Sequence, residues 1–149
     1  MAKTKAKSLS LAVQYACASD GLPTRPRLRR WVSLALECDA AITIRFVEAA
    51  EGRTLNREYR GQDKDYATNV LSFAYAPPPQ VAGDLVLCVP VVLDEASAQG
   101  KPADTHFAHL VVHGMLHLQG YEHETESAAT RMETRERGIL ARLGIPDPY

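Results

Sequence analysis

The chain has little cysteine. Cys17, Cys38 and Cys88 are odd in number and show no metal-ligand spacing, which excludes a disulfide framework and a cysteine-built zinc module and reads as the reduced thiols of a cytoplasmic protein. Long apolar runs are also missing. Lysines stand at positions 3, 5 and 7 with no hydrophobic stretch behind them, so neither a signal peptide nor a membrane span is expected. No sign of charge dominates: 17 Lys and Arg face 18 Asp and Glu, which withholds the overall basicity of many nucleic-acid binders. Repeats are absent. A chain of 149 residues suits one domain that buries roughly 68 to 70% of its unfolded surface, expected over 8–149 behind a flexible basic lead at 1–7.

The hydrophobic patterning predicts an α/β layer fold. Alternating or β-rich stretches at Leu9 to Tyr15, Ala41 to Val47, Asn69 to Tyr75 and Asp84 to Val89 read as strands. Helical patterns fill Pro26 to Cys38, Ala49 to Tyr59, Pro90 to Gln99, Thr105 to Gln119 and Ser127 to Leu143, with Pro26 and Pro90 tolerated in first turns. Interleaved in this order, they imply one small, mixed sheet of about four strands packed by helices. The run Pro77-Pro78-Pro79 must be a loop, since proline has no N–H to donate to a helix or a sheet ladder.

Charge is unevenly placed. Arg25, Arg27, Arg29 and Arg30 cluster near one helix start, Arg53, Arg57, Arg60 and Lys64 form a second group, and Glu124, Glu126, Glu133 and Glu136 make the last stretch acidic. Taken alone, each basic cluster reads as a solvated face, with phosphate contact as the functional alternative because arginine offers a planar fork to phosphate oxygens.

The most informative segment runs from His113 through Gly114 and His117 to Gly120 and His123. Residues four apart share a helix face, so His113 and His117 can aim ring nitrogens at one ion. Gly120 permits the left-handed backbone that stops a helix, and the short turn returns His123 as a third ligand. Three imidazoles leave one tetrahedral position open, the layout of a catalytic zinc site holding one ion. The surrounding Phe107, Leu110, Val111, Val112, Met115, Leu116 and Leu118 are apolar on nearly every face, so the ligands sit at the end of a buried helix. His109 is one turn too far back to reach the same ion and is assigned a structural or supporting role; His106 is expected to face solvent. The spacing matches a metzincin protease except at one residue. Gly114 stands where the general-base glutamate belongs.

The run His-Gly-x-Leu-His-Leu-x-Gly-Tyr-acidic-His resembles the signature of the YbeY family of bacterial metal-dependent endoribonucleases. Leu55-Asn56-Arg57-Glu58-Tyr59-Arg60, Thr68-Asn69-Val70-Leu71-Ser72-Phe73, Gly83-Asp84-Leu85 and Asp147-Pro148-Tyr149 resemble further blocks of that family. Two features depart from the pattern. Glu122 stands where the family usually has aspartate, and the loop from Gly61 to Ala67 is longer than expected.

The resemblance implies a zinc-dependent, single-strand-specific endoribonuclease of ribosomal RNA maturation, acting at the 16S 3′ end and in ribosome quality control. It also implies the small ribosomal subunit and an Era-type GTPase as partners. Arg60 closes the block resembling the family's active-site arginine, and a guanidinium stabilises charge developing on a phosphorane. Asn69 and Ser72, with Arg57 and Lys64, are the candidate RNA contacts. A metal with an open position polarises a phosphoryl oxygen and lowers the pKa of water. With Gly114 in place of a base, the nucleophile is either such a water, assisted by Glu122, or the substrate's own 2′-hydroxyl; the open position favours water. Two rival readings stay open: a zincin-like hydrolase of peptides or amides, opposed by Gly114, and a noncatalytic zinc-containing ribosome-assembly factor, opposed by the open fourth position.

Overall fold

A computed structural model describes residues 7–149. Nine elements follow one another: β1 (Leu9–Ala16), α1 (Arg25–Ala35), β2 (Asp39–Val47), α2 (Ala49–Arg60), β3 (Val70–Ala76), β4 (Gln80–Cys88), α3 (Val89–Ala98), α4 (Ala103–Leu118) and α5 (Glu126–Arg142). The strands form one sheet in the order β1-β2-β4-β3. β1 and β4 flank β2 in parallel, while β3 pairs antiparallel with β4 through a hairpin around Pro77 to Pro79. The sheet is therefore mixed, as the interleaved pattern predicts, and β3 is an edge strand. Among the described residues, no helix is long and apolar enough to cross a membrane.

Period-two alternation sends side chains to two faces. Ile42, Ile44 and Phe46 of β2 join Leu85 and Leu87 of β4 in the main core under α1, α4 and α5. Val47, Val86 and Cys88 form a smaller cluster on the opposite face with Leu71, against which Leu55 of α2 packs. Most boundaries fall within two residues of the sequence pattern, and two differ by more. β4 begins at Gln80 rather than Asp84, because its pairing with β2 runs unbroken from Asp39 opposite Gln80, although Ala82 and Gly83 weaken the alternation. α1 stops at Ala35 rather than Cys38, where Leu36 turns extended. The buried Gln119 side chain serves that helix end, donating to Ala35 O at 2.7 Å and accepting from Glu37 N at 2.6 Å. Of the expected basic lead, Lys7 donates through Nζ to Leu36 O at 3.2 Å, and residues 1–6 lie outside the described residues.

α4 is buried on nearly every side and touches α1, α3, α5, β3 and β4. His106 is part of that burial. Only 3% exposed, it corrects the expectation of a solvent-facing ring: it lies on the side of α4 that packs on α3, where Glu95 accepts from its Nε2 at 2.8 Å. Gly114 lies where α4 packs closely on β4. A Cβ there would lie 2.6 Å from Leu85 Cδ2 and 3.3 Å from Cδ1, and Leu85 is fully buried. A Cβ at this place therefore requires the Leu85 side chain to shift within a packed core. Gly114→Ala should cost about 0 to 2 kcal/mol net, the overpacking penalty of ~1–3 kcal/mol set against a helix-propensity gain of about 1 kcal/mol. Urea unfolding measures it; a more stable variant would show that Leu85 gives way freely.

Candidate metal centre

α4 carries His109, His113 and His117 along one ridge, and Gly120, at φ +100°, ends the turn that brings His123 back. The ligand nitrogens of His113, His117 and His123 lie within 4.8 Å of one another. Their tautomers can be read from their partners. His113 Nδ1 meets the Glu136 carboxylate, and His117 Nδ1 lies 3.0 Å from Tyr121 O. Both acceptors require N–H donors, so both Nδ1 atoms carry the proton in the neutral rings. The two Nε2 atoms then present bare lone pairs to each other at 3.0 Å. A shared cation, proton or metal ion, makes that approach favourable, and with His123 as a third imidazole the donor set fits a metal ion that prefers imidazole nitrogen.

Electrostatics prepare the same state. Burial, reinforced by repulsion from His113, pushes His117 down to about 4, leaving it a neutral ligand near pH 7. Glu136 is fully buried. Burial alone would raise its pKa, but hydrogen bonds from His109, His113 and Tyr149 together outweigh that and hold it at about 2. The Tyr149 hydroxyl donates to Oε2 at 2.6 Å, and His109 Nε2 lies 3.2 Å from the same oxygen. His109 thus supports the ligand shell through Glu136, the kind of outer partner that fixes a ligand's tautomer and orientation.

A cleft of about 840 Å³ opens over this face of α4, walled on its other side by edge strand β3 and the end of α2. Arg60, Asn69 and Ser72 line it with the three ligands. Arg60 is the last residue of α2, and its Nη1 donates to Oδ1 of the fully buried Asn56 at 3.3 Å. Asn56 Nδ2 also donates to Lys64 O and Tyr66 O at 3.2 and 2.8 Å, so one buried amide ties down both the loop and the guanidinium. Asn69 donates to Glu95 at 3.1 Å and accepts from Val70 N at 2.6 Å. Three of the sequence-nominated residues lie elsewhere. Arg57 stands 3.6 Å from Asp65 and Lys64 4.0 Å from Asp63, outside the cleft lining, and Glu122 lines a separate cavity of about 210 Å³ with Glu37, Tyr121 and Arg131. Among the described residues lining the main cleft, none is a carboxylate.

Comparison with known proteins identifies the family and the fold. The family model described as Endoribonuclease YbeY matches residues 25–144. The protein named Endoribonuclease YbeY of Aromatoleum aromaticum is 55% identical over 150 residues, covering 99% of this chain and 96% of its own. That of Thiobacillus denitrificans is 56% identical over 146 residues, covering 97% and 98%. The solution structure of a Thermotoga maritima protein, 21% identical, matches with a TM-score of 0.57 over 89% of this chain and 91% of its own, and so shares the fold. With most of its length inside the family model and relatives above half identity end to end, the chain belongs to the endoribonuclease YbeY family.

Proposed function

We propose that this endoribonuclease is zinc-dependent and specific for single-stranded RNA, and that it trims ribosomal RNA at the 16S 3′ end and serves ribosome quality control in the cytoplasm. The small ribosomal subunit and an Era-type GTPase are its proposed partners. The observation that carries the catalytic part of the reading is the facing pair of unprotonated Nε2 atoms on His113 and His117, opposite Arg60 in one cleft.

His113, His117 and His123 would hold the ion. When bound, zinc supplies Lewis-acid polarisation of a phosphoryl oxygen and acidification of water. The chain's own residues do the rest. Glu136 keeps the proton of His113 on Nδ1, and the Tyr121 carbonyl does so for His117, so neither ligand nitrogen is lost to the wrong tautomer. Arg60 supplies a guanidinium to the phosphate oxygens that gain charge in the transition state. Asn69 and Ser72 form the wall along which the strand lies, whereas Arg57 and Lys64 would act only at longer range, on RNA that reaches past the rim. Peptide hydrolysis finds no support: Gly114 supplies no base, and no Asp or Glu side chain among the described residues lines the cleft to replace it. Glu122, in its separate cavity, would have to act on the nucleophile from outside the cleft.

The test is incubation of nuclease-free protein with an unstructured RNA, with and without zinc, beside the His113→Ala variant. Zinc-dependent cleavage is expected in the parent and not in the variant; equal cleavage by both sinks the reading. End groups then identify the nucleophile. Water is expected, leaving linear phosphate ends and tolerating a 2′-deoxy residue at the cut. A 2′,3′-cyclic phosphate with no cut at a 2′-deoxy position would assign the attack to the substrate's 2′-hydroxyl.

A further inference from the structure

The cleft carries aromatic surface that neither the metal centre nor Arg60 uses. Tyr59 and Tyr75 are 66% and 67% exposed, and both line the cleft. Neither ring is loosely hung. Tyr59 sits edge-on against Phe73 with centroids 4.8 Å apart, and the Tyr75 hydroxyl donates to Asp84 Oδ2 at 2.8 Å. Tyr75 is also the extra residue of a β-bulge: Ala74 pairs with Gly83 and Ala76 with Ala82, leaving Tyr75 without a partner on β4. Bulges break the alternation of a strand and re-aim a side chain. Tyr149, the third exposed ring at the cleft, is already engaged, with its hydroxyl on Glu136, the His109 ring perpendicular to it at 5.7 Å and the Arg137 guanidinium over it at 5.5 Å.

Two anchored rings with open faces, beside a guanidinium without a carboxylate partner among the described residues, suit a ligand that is flat and anionic at once. Unpaired nucleobases on a phosphate backbone have that chemistry. Bases in a duplex are already stacked on both faces and have none to offer, so such a platform discriminates by strand state rather than by sequence. We propose that Tyr59 and Tyr75 form a stacking platform for unpaired bases next to the scissile phosphate and set the preference for single-stranded RNA. The inference rests on the reading of the cleft as an RNA-cutting site and adds the residues that select the strand.

The zinc-loaded full chain, titrated into a fluorescein-labelled unstructured RNA and followed by anisotropy, tests it. Tyr59→Ala and Tyr75→Ala should each weaken binding roughly tenfold, with a parallel rise in KM and little change in kcat. Tyr75→Phe should recover most of what Tyr75→Ala loses, and Tyr66→Ala, on an exposed ring outside the cleft lining, should bind as the parent does. An abasic ribose-phosphate strand of the same length should bind the parent more weakly and the alanine variants no worse than the parent. Three results overturn the platform: alanine variants that bind RNA as tightly as the parent, a phenylalanine variant no better than alanine, or an alanine loss that persists in full on the abasic strand. The abasic comparison on the parent needs no variant to fold. A parent that binds through these rings yet cuts no RNA would overturn the nuclease reading and leave the platform standing.

Discussion

His117→Ala is expected to leave purification with less than about a tenth of the zinc found in the parent, for which roughly one ion per chain is expected, and to lose RNA cleavage by more than about a hundredfold. Outer partners of metal ligands cost about 10- to 100-fold when removed, and a ligand that faces His113 Nε2 at 3.0 Å must cost more than its supports do. Elemental analysis decides the first part. Full zinc retention in the variant would dissolve the triad, whatever happened to activity. Acid should act in the same direction: zinc binding should weaken towards pH 5, since a protonated imidazole cannot ligate. The metal-free fold should respond as well. His117 sits at about 4, below its ordinary value, so between about 6.5 and 4 the unfolded chain binds a proton that the folded chain refuses, and stability falls as pH falls. Glu136, held at about 2, adds the same trend from about 4.5 downward. Melting of the metal-free protein across this range should show a steady loss of stability towards acid; a flat profile would contradict both burial arguments.

The convergence of His113, His117 and His123 was legible because helix geometry is local: a spacing of four, a glycine and a short turn leave little freedom. Glu136 was not, since it lies 13 residues beyond His123 on another helix, inside an acidic stretch that reads as solvated. A signal was nevertheless present. Glu136 falls on the stripe of Met132, Ile139 and Leu140, all buried, and a carboxylate on the apolar stripe of an amphipathic helix needs a buried partner. His106 could have been read likewise from the all-round apolarity of α4, but its partner Glu95 comes from a different helix. Asn56 shows the limit of local reading: it stands inside the block that suggests Arg60, yet its burial follows from the loop folding back over α2, which no periodicity encodes. For Gly114 the absence of a base was visible in the sequence, while the close approach of its backbone to Leu85 belongs to packing.

Arg60→Lys should keep the fold and raise KM only a few-fold, yet lower kcat by about 10²- to 10³-fold, the usual loss when one preorganised donor to a developing oxyanion is removed. The surroundings of Arg60 are what make this a sharp expectation. In the same basic group, Arg53 is paired with Asp65 at 2.6 Å and Arg57 lies 3.6 Å from that carboxylate. Arg60 has no carboxylate within ion-pair distance among the described residues; it borders the cleft and is steadied by the neutral Asn56 oxygen. A surface ion pair would let lysine serve nearly as well, because exposed pairs contribute little and tolerate either cation. Transition-state stabilisation would not, because an ammonium is a point charge that cannot match two phosphate oxygens with a planar fork. The split between kcat and KM separates the cases: equal loss in both cleavage and RNA affinity would make Arg60 a binding residue alone, and unchanged turnover would remove it from the site.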